Sequence, residues 1–181
     1  MAIAAVFASG VVVGRQAPTD RPVEGPDLAC ERGDEALAAA AAAQLAVLVP
    51  QRVAGRQAAR DAARALGAAL EVAERFGQWA EQENPVYRHA LFGATAVKVG
   101  ERDGDRAQVT VDGYWLRSAD AANGAGEFAN ALWTYWLVWR DGRWVPSSPP
   151  EATTLPGDHT GKAAAFIRIK DGFAGVPHVR C

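Results

Sequence analysis

The spacing of apolar positions changes once along this chain, from a helical period to a strand period. Residues 34–49, "DEALAAAAAAQLAVLV", come first. Leu37, Ala41, Gln44, Leu45 and Leu48 recur at i, i+4, i+7, i+8 and i+11, which is one face of a helix. Asp34 is placed to cap it, with Glu35 in its first turn near the positive end of the helix dipole. Pro50 is expected to stop it, because proline lacks an N–H and its ring clashes with the preceding turn. A longer helix is predicted from about Arg52 to Gln82. Its stripe runs Ala59, Ala62, Leu66, Ala69, Leu70, Ala73, Phe76 and then Trp79 or Ala80. Charged residues such as Arg60, Arg64, Glu71 and Arg75 mostly lie opposite, and the small residues of the stripe suit close packing on a sheet. "NPVY" at 84–87 ends this helix.

From about His89 the period becomes 2. Strands are predicted over Phe92–Val99, Ala107–Leu116, Leu132–Trp139 and Arg143–Val145, the last extending towards Ser147. In the first hairpin, pairing Val99 with Val109 and Val97 with Val111 puts the valines on one face. A one-residue slip would split that face. The pairing calls for an odd-length loop around Asp103-Gly104-Asp105. In the second hairpin, Asp141-Gly142 signals a type I′ turn that sets Trp139 against Trp144 and Arg140 against Arg143. The Trp-rich ribbon then sorts by face. Trp133, Tyr135, Leu137, Trp139, Trp144 and Pro146 fall on one side. Thr134, Trp136, Val138, Arg140, Arg143 and Val145 fall on the other. Both sides carry aromatic mass, as in a sheet curled around a helix with its outer face partly covered. The expected fold is therefore α+β, with N-terminal helices packed on a curved antiparallel sheet.

The flanks read differently. Residues 1–14 are apolar, too short to span a bilayer and without the basic start of a signal peptide. They look like the distal half of a membrane or export segment. Residues 15–33 carry three prolines, two glycines and alternating charge, a linker composition. The domain is placed at 34–150, and 151–181 reads as a tail with a short helix around Lys162–Lys170. "SADAANGAGEFAN" at Ser118–Asn130 reads as a long surface loop.

Composition adds little: 49% hydrophobic, 22% charged and a net charge of -2 describe an ordinary globular chain. No Lys/Arg run marks a nucleic-acid footprint, so no nucleic acid is expected as a partner. Cys30 and Cys181 flank the folded part. Either they are two unrelated thiols, or they form one disulfide that ties the ends together in an oxidising compartment.

No pair among His89, His159 and His178 has the i, i+4 spacing of a helical metal site. "HVRC" at 178–181 offers two ligand types at a terminus, which is weak, so no metal is expected. "GDHTGKA" at 157–163 fails as a phosphate loop, because its glycines are one residue too close and Ala163 replaces Ser or Thr. No Gly-x-Ser-x-Gly occurs. A cavity-based acid–base enzyme would draw on Asp112, Asp120, Tyr114, Tyr135 or His89. By strand parity Asp112 and Tyr114 point away from the valine face. No cofactor or catalytic residue is assigned.

The segment order, ending in the meander "LVWRDGRWVPSSPP", resembles the cone-shaped nuclear-transport-factor-like superfamily. The "WRDGRWV" hairpin carries that likeness. Within the group the chain is similar to exported accessory proteins of actinobacterial conjugative elements. These in turn resemble the bitopic assembly factor of type IV secretion systems. "GRQAPTDRPVEGP", "GDEALAAAAAAQLAVL" and "GFAGVPHV" carry this finer likeness. The truncated apolar segment and the cysteine pair depart from that pattern, which bears on the anchor and not on the domain.

The resemblance implies a non-enzymatic, membrane-associated assembly module on the extracytoplasmic side. Its partners would be other apparatus proteins, or further copies of itself. Trp136, Arg140, Arg143, Asp112 and Tyr114 are the expected contact surface. The alternative is a small-ligand-binding or isomerase-like protein that uses the cavity of the cone.

Overall fold

A computed structural model of the chain describes residues 32–119, 126–154 and 172–177. Three helices come first: α1 (Asp34–Ala54), α2 (Arg56–Ala65) and α3 (Leu70–Glu81). Six strands follow: β1 (His89–Asp103), β2 (Arg106–Ser118), β3 (Gly126–Arg140), β4 (Arg143–Pro146), β5 (Glu151–Thr154) and β6 (Ala174–Gly175). They form one antiparallel sheet in the order β4-β3-β2-β1-β6, with β5 also paired to β3. The helices pack on one face of this curved sheet, the expected α+β arrangement.

Curvature has a visible source in β1. Its register against β2 shifts between Ala94 and Ala96 and again between Val99 and Arg102. Each shift leaves one extra residue on β1, a bulge that bends the strand and sharpens its twist. The valine pairing holds, with Val97 opposite Val111 and Val99 opposite Val109. The loop length does not. Asp103 pairs with Arg106, so the turn has the two residues Gly104-Asp105, and the bulge beyond Val99 supplies the odd residue.

The inner face of the sheet is filled. Trp133, Tyr135, Leu137, Val109 and Val111 are buried against Leu37, Leu45, Leu48 and Phe76 of the helices. Trp133 sits at the centre, edge-on to Trp79, Phe92 and Trp115 with ring centroids 5.3–6.4 Å apart. Two buried side-chain hydrogen bonds fix α1 across the sheet. The Tyr135 hydroxyl donates to Ala41 O at 2.8 Å, and Gln44 Nε2 donates to Trp144 O at 2.8 Å. Burial pushes the pKa of the Tyr135 hydroxyl well above its usual value.

Several boundaries differ from the sequence expectation. Helix α1 runs through Pro50 to Ala54. The carbonyl that Pro50 deprives of a donor belongs to Ala46, which is exposed, so water can take the missing donor's place. Gly33 is the N-cap; Asp34 lies in the first turn and pairs with Arg102. The single long helix is two, because Gly55 and Gly67 adopt φ of 106° and 93°. Gly67 closes α2 in a Schellman motif. Its N–H donates to Arg64 O at 2.9 Å, and that of Ala68 to Ala63 O at 3.0 Å. The break resets the helical phase, so Leu70, expected in the buried stripe, is 62% exposed.

Strands also reach further than predicted. β3 begins at Gly126, so the last five residues of the expected loop are strand paired with β2. The expected tail begins with β5, which continues the sheet edge. The Asp141-Gly142 turn is as expected, with φ of 51° and 76°. It holds Trp139 and Trp144 as a cross-strand pair 5.3 Å apart. The apolar segment 1–14, most of the linker, Cys30, the short helix at 162–170 and Cys181 lie outside the described residues.

Candidate interaction surface

The outer face of the sheet carries an unexpected apolar strip. Cross-strand pairing places Leu91 opposite Leu116, and Leu116 opposite Phe128. Tyr114 is two residues from Leu116, so it shares that face. Its ring lies 5.6 Å from that of Phe128. It also covers Gly93, where a Cβ would fall 3.0 Å from the ring. Leu91 is 69% exposed, Phe128 55%, Tyr114 45% and Leu116 40%. Taking 150–250 Å² as a fully buried aromatic's contribution, the strip presents on the order of 400 Å² of apolar surface. That matches the largest patch of a typical monomer, which is often functional.

Behind the strip, on the inner face, charges close the end of the sheet. Glu83, just past α3, sits between Arg52 of α1 at 3.0 Å and Arg117 of β2 at 2.6 Å. Their side chains are 6%, 14% and 17% exposed. Arg117 also reaches Glu127 at 2.9 Å and lies over the rings of Trp115 and Tyr87. Arg52 lies over Trp79. Burial lowers the pKa of Arg52, and Glu83 opposes that shift. For Arg117, burial is outweighed by Glu127 and Glu83, and the net direction is up. Tyr87 donates a hydrogen bond to Glu127, which raises the phenol pKa against the opposing charge of Arg117; that bond and the one from Arg117 lower the carboxyl pKa of Glu127.

A cleft of about 810 Å³ opens between α3 and the β5 edge. It owes its shape to Ser147–Pro150, a detour in the strand between β4 and β5. Prolines 149 and 150 cannot donate to the ladder, so the detour leaves it there. The Ser148 hydroxyl accepts from Trp136 N at 3.1 Å, and Ser147 N donates to Trp136 O at 2.9 Å.

The five residues expected to form one contact surface do not come together. Asp112 does lie opposite the valines, but it is fully buried, so it is not a contact residue. The bulge at Thr95 brings the Thr95 hydroxyl to 3.1 Å from its carboxylate. Tyr114 lies on the apolar strip. Arg140 and Arg143 are exposed at the β3–β4 turn. Tyr114 pairs with Asn130, ten residues along β3 from Arg140, a separation of roughly 34 Å. Trp136 is half-buried beneath the Arg106 guanidinium and lines the cleft. The sequence reading missed Leu91, Leu116 and Phe128. The parity that turned Tyr114 outward also turns Leu116 outward, and that signal was available.

Helix α1 is, among the described residues, the one helix long and apolar enough to cross a membrane. Yet 61% of its most apolar window is buried inside the domain, as befits a helix packed on β1. No protein-family model matches the chain, and comparisons with curated proteins and with solved structures return no match.

Proposed function

We propose that this chain is a scaffold module that works by protein–protein contact through the outer face of its sheet. The observation that carries the reading is the strip Leu91–Leu116–Phe128 with Tyr114, four large apolar side chains turned to solvent on rigid strands. Strand-borne apolar residues in a row, rimmed by polar ones, suit a partner's surface better than water. The sequence resemblance supports the finer statement: an assembly module of a conjugation or type IV secretion-like apparatus, held at the membrane with its domain on the extracytoplasmic side. The sheet face beneath α1 is filled by packed side chains, which supports this reading over a small-ligand or isomerase-like protein with its cavity there; the open space is the cleft beside β5.

The test is fractionation and in-cell cross-linking of the protein expressed from its native locus. Membrane association is expected, with cross-links to apparatus proteins that Phe128→Arg and Leu91→Arg abolish without lowering protein levels. A purely cytosolic protein, or cross-links indifferent to both substitutions, would refute it.

A further inference from the structure

The cleft beside β5 is built like a receptor for an extended peptide. One wall is β5, a four-residue strand whose every residue is exposed and whose strand partner among the described residues is β3 alone. Half of its backbone N–H and C=O groups therefore face away from β3, with no strand among the described residues paired to them. The opposite wall is α3, which presents Arg75, Gln78 and Gln82 at i, i+3 and i+7. Trp79 and Trp115 line the space between the walls, and Trp136 and Pro149 also border it. A trough between an open strand edge and a helix, with an aromatic lining, suits strand addition. Main-chain hydrogen bonds would give affinity, and alternate side chains would reach the floor.

Charge selects the occupant. The lining holds three guanidinium groups, on Arg52, Arg75 and Arg117, against the single carboxylate of Glu151. Arg52 and Arg117 are already committed to Glu83. Arg75 is exposed and donates only to the main-chain carbonyl of Ser147, at 3.1 Å, with no carboxylate paired to it among the described residues. It stands on the helix wall at the mouth of the trough, where a carboxylate on an incoming strand would meet it.

We propose that this cleft binds an extended, acidic segment of a partner protein by adding it as a strand to the β5 edge. The inference rests on reading the chain as a protein-contact module, and names a second contact distinct from the apolar strip.

The experiment uses the full chain, immobilised, and a phage library displaying random short peptides. Selection is expected to enrich proline-free sequences rich in Asp and Glu. A synthetic copy of an enriched peptide should shift the amide resonances of residues 151–154 and the indole signals of Trp79 and Trp115. Arg75→Glu should weaken it roughly tenfold or more. N-methylation of alternate peptide amides should abolish binding, while Phe128→Arg should leave it unchanged. No enrichment, enrichment of basic peptides, or binding indifferent to Arg75→Glu would overturn the proposal. So would loss of binding in Phe128→Arg, which would move the peptide to the strip. A chain that dimerises through β5, with the dimer lost in Thr153→Pro, would assign the edge to a second copy and also overturn it. Membrane fractionation bears on the scaffold reading alone, so the two can fail separately.

Discussion

Replacing Glu83 by glutamine tests whether the charged cluster at the end of the sheet holds the domain together. The substitution keeps the side chain's shape and removes its charge. Two guanidinium groups, 14% and 17% exposed, then share a largely dry site without the carboxylate between them. At an effective dielectric near 20, each contact of about 3 Å carries roughly 5 kcal/mol of gross attraction, much of it offset by desolvation. Truncating one partner of a buried pair typically costs about 3–5 kcal/mol, because the remaining charge is uncompensated. Arg117 keeps Glu127 at 2.9 Å and its two aromatic neighbours, which places the expected loss near the lower limit, about 3 kcal/mol. Arg52 keeps the Trp79 ring but, among the described residues, no second carboxylate. Burial and Arg117 both disfavour its charge, and Glu83 is what opposes them. For a domain of this size the loss corresponds to a drop of roughly 10 °C in Tm. Urea melts followed by far-UV circular dichroism would measure it, with an unchanged m-value as the check on two-state behaviour. Adding Arg52→Met should restore part of the loss by removing the orphaned charge, a coupling above about 1 kcal/mol. A loss under about 1 kcal/mol for Glu83→Gln would refute the reasoning, since it would make the cluster an ordinary solvated surface bridge.

Gly67→Ala should cost about 2 kcal/mol, because the residue has φ of 93° and the new Cβ would fall 2.9 Å from both Val145 Cγ1 and Arg143 Nη2. Gly142→Ala has a similar φ but open space around it, so it should cost only about 1 kcal/mol; equal losses in thermal melts would remove the packing argument. Tyr135→Phe should cost about 1 kcal/mol for the lost bond to Ala41 O. It should also flatten the alkaline limb of stability. Burial raises the Tyr135 pKa, so its contribution is whole below the unfolded value near pH 10 and falls as pH rises beyond it. Identical slopes for wild type and Tyr135→Phe in urea midpoints between about pH 9 and 11 would contradict this. Glu127 titrates in the opposite sense: Tyr87 and Arg117 lower its pKa, so its contribution is present above the unfolded value near pH 4.3 and lost on acidification. Glu127→Gln should remove that acid-side slope in the same midpoints.

Strand parity was the most legible feature of this chain. The valine register of β1 and β2, the two faces of β3 and the Trp139–Trp144 pair all follow from period 2, because a slip would move a whole apolar set off the core. The helices were less legible. Gly55 and Gly67 stand in stretches whose apolar stripe continues on both sides, and glycine inside a helix costs only about 1 kcal/mol. Composition alone therefore does not choose between a helix that tolerates them and one that ends there. Tertiary packing decides: Gly67 ends α2 where Arg143 and Val145 of β4 press against it, a contact distant in sequence.

The contact surface was harder for a related reason. Parity assigns a side of the sheet, not whether anything covers it. Asp112 and Tyr114 are on the outer side together, yet one is fully buried and the other 45% exposed. Leu91 and Phe128 fell outside the predicted strands, so the row they make with Leu116 had no ends and could not be seen. Length explains what happens at that end of the sheet. A fifteen-residue β1 would extend to roughly 50 Å, while the twenty-one residues of α1 span roughly 32 Å. Helix α1 therefore ends short of the last strand residues, and the inner face there is closed instead by Arg52, Glu83 and Arg117 with Tyr87 and Trp115. The cluster holds that projecting end rigid from within. A rigid end is what lets the outward leucines and Phe128 keep one shape for a partner, so loosening the cluster with Glu83→Gln should weaken partner cross-linking even though Glu83 lies on the opposite face.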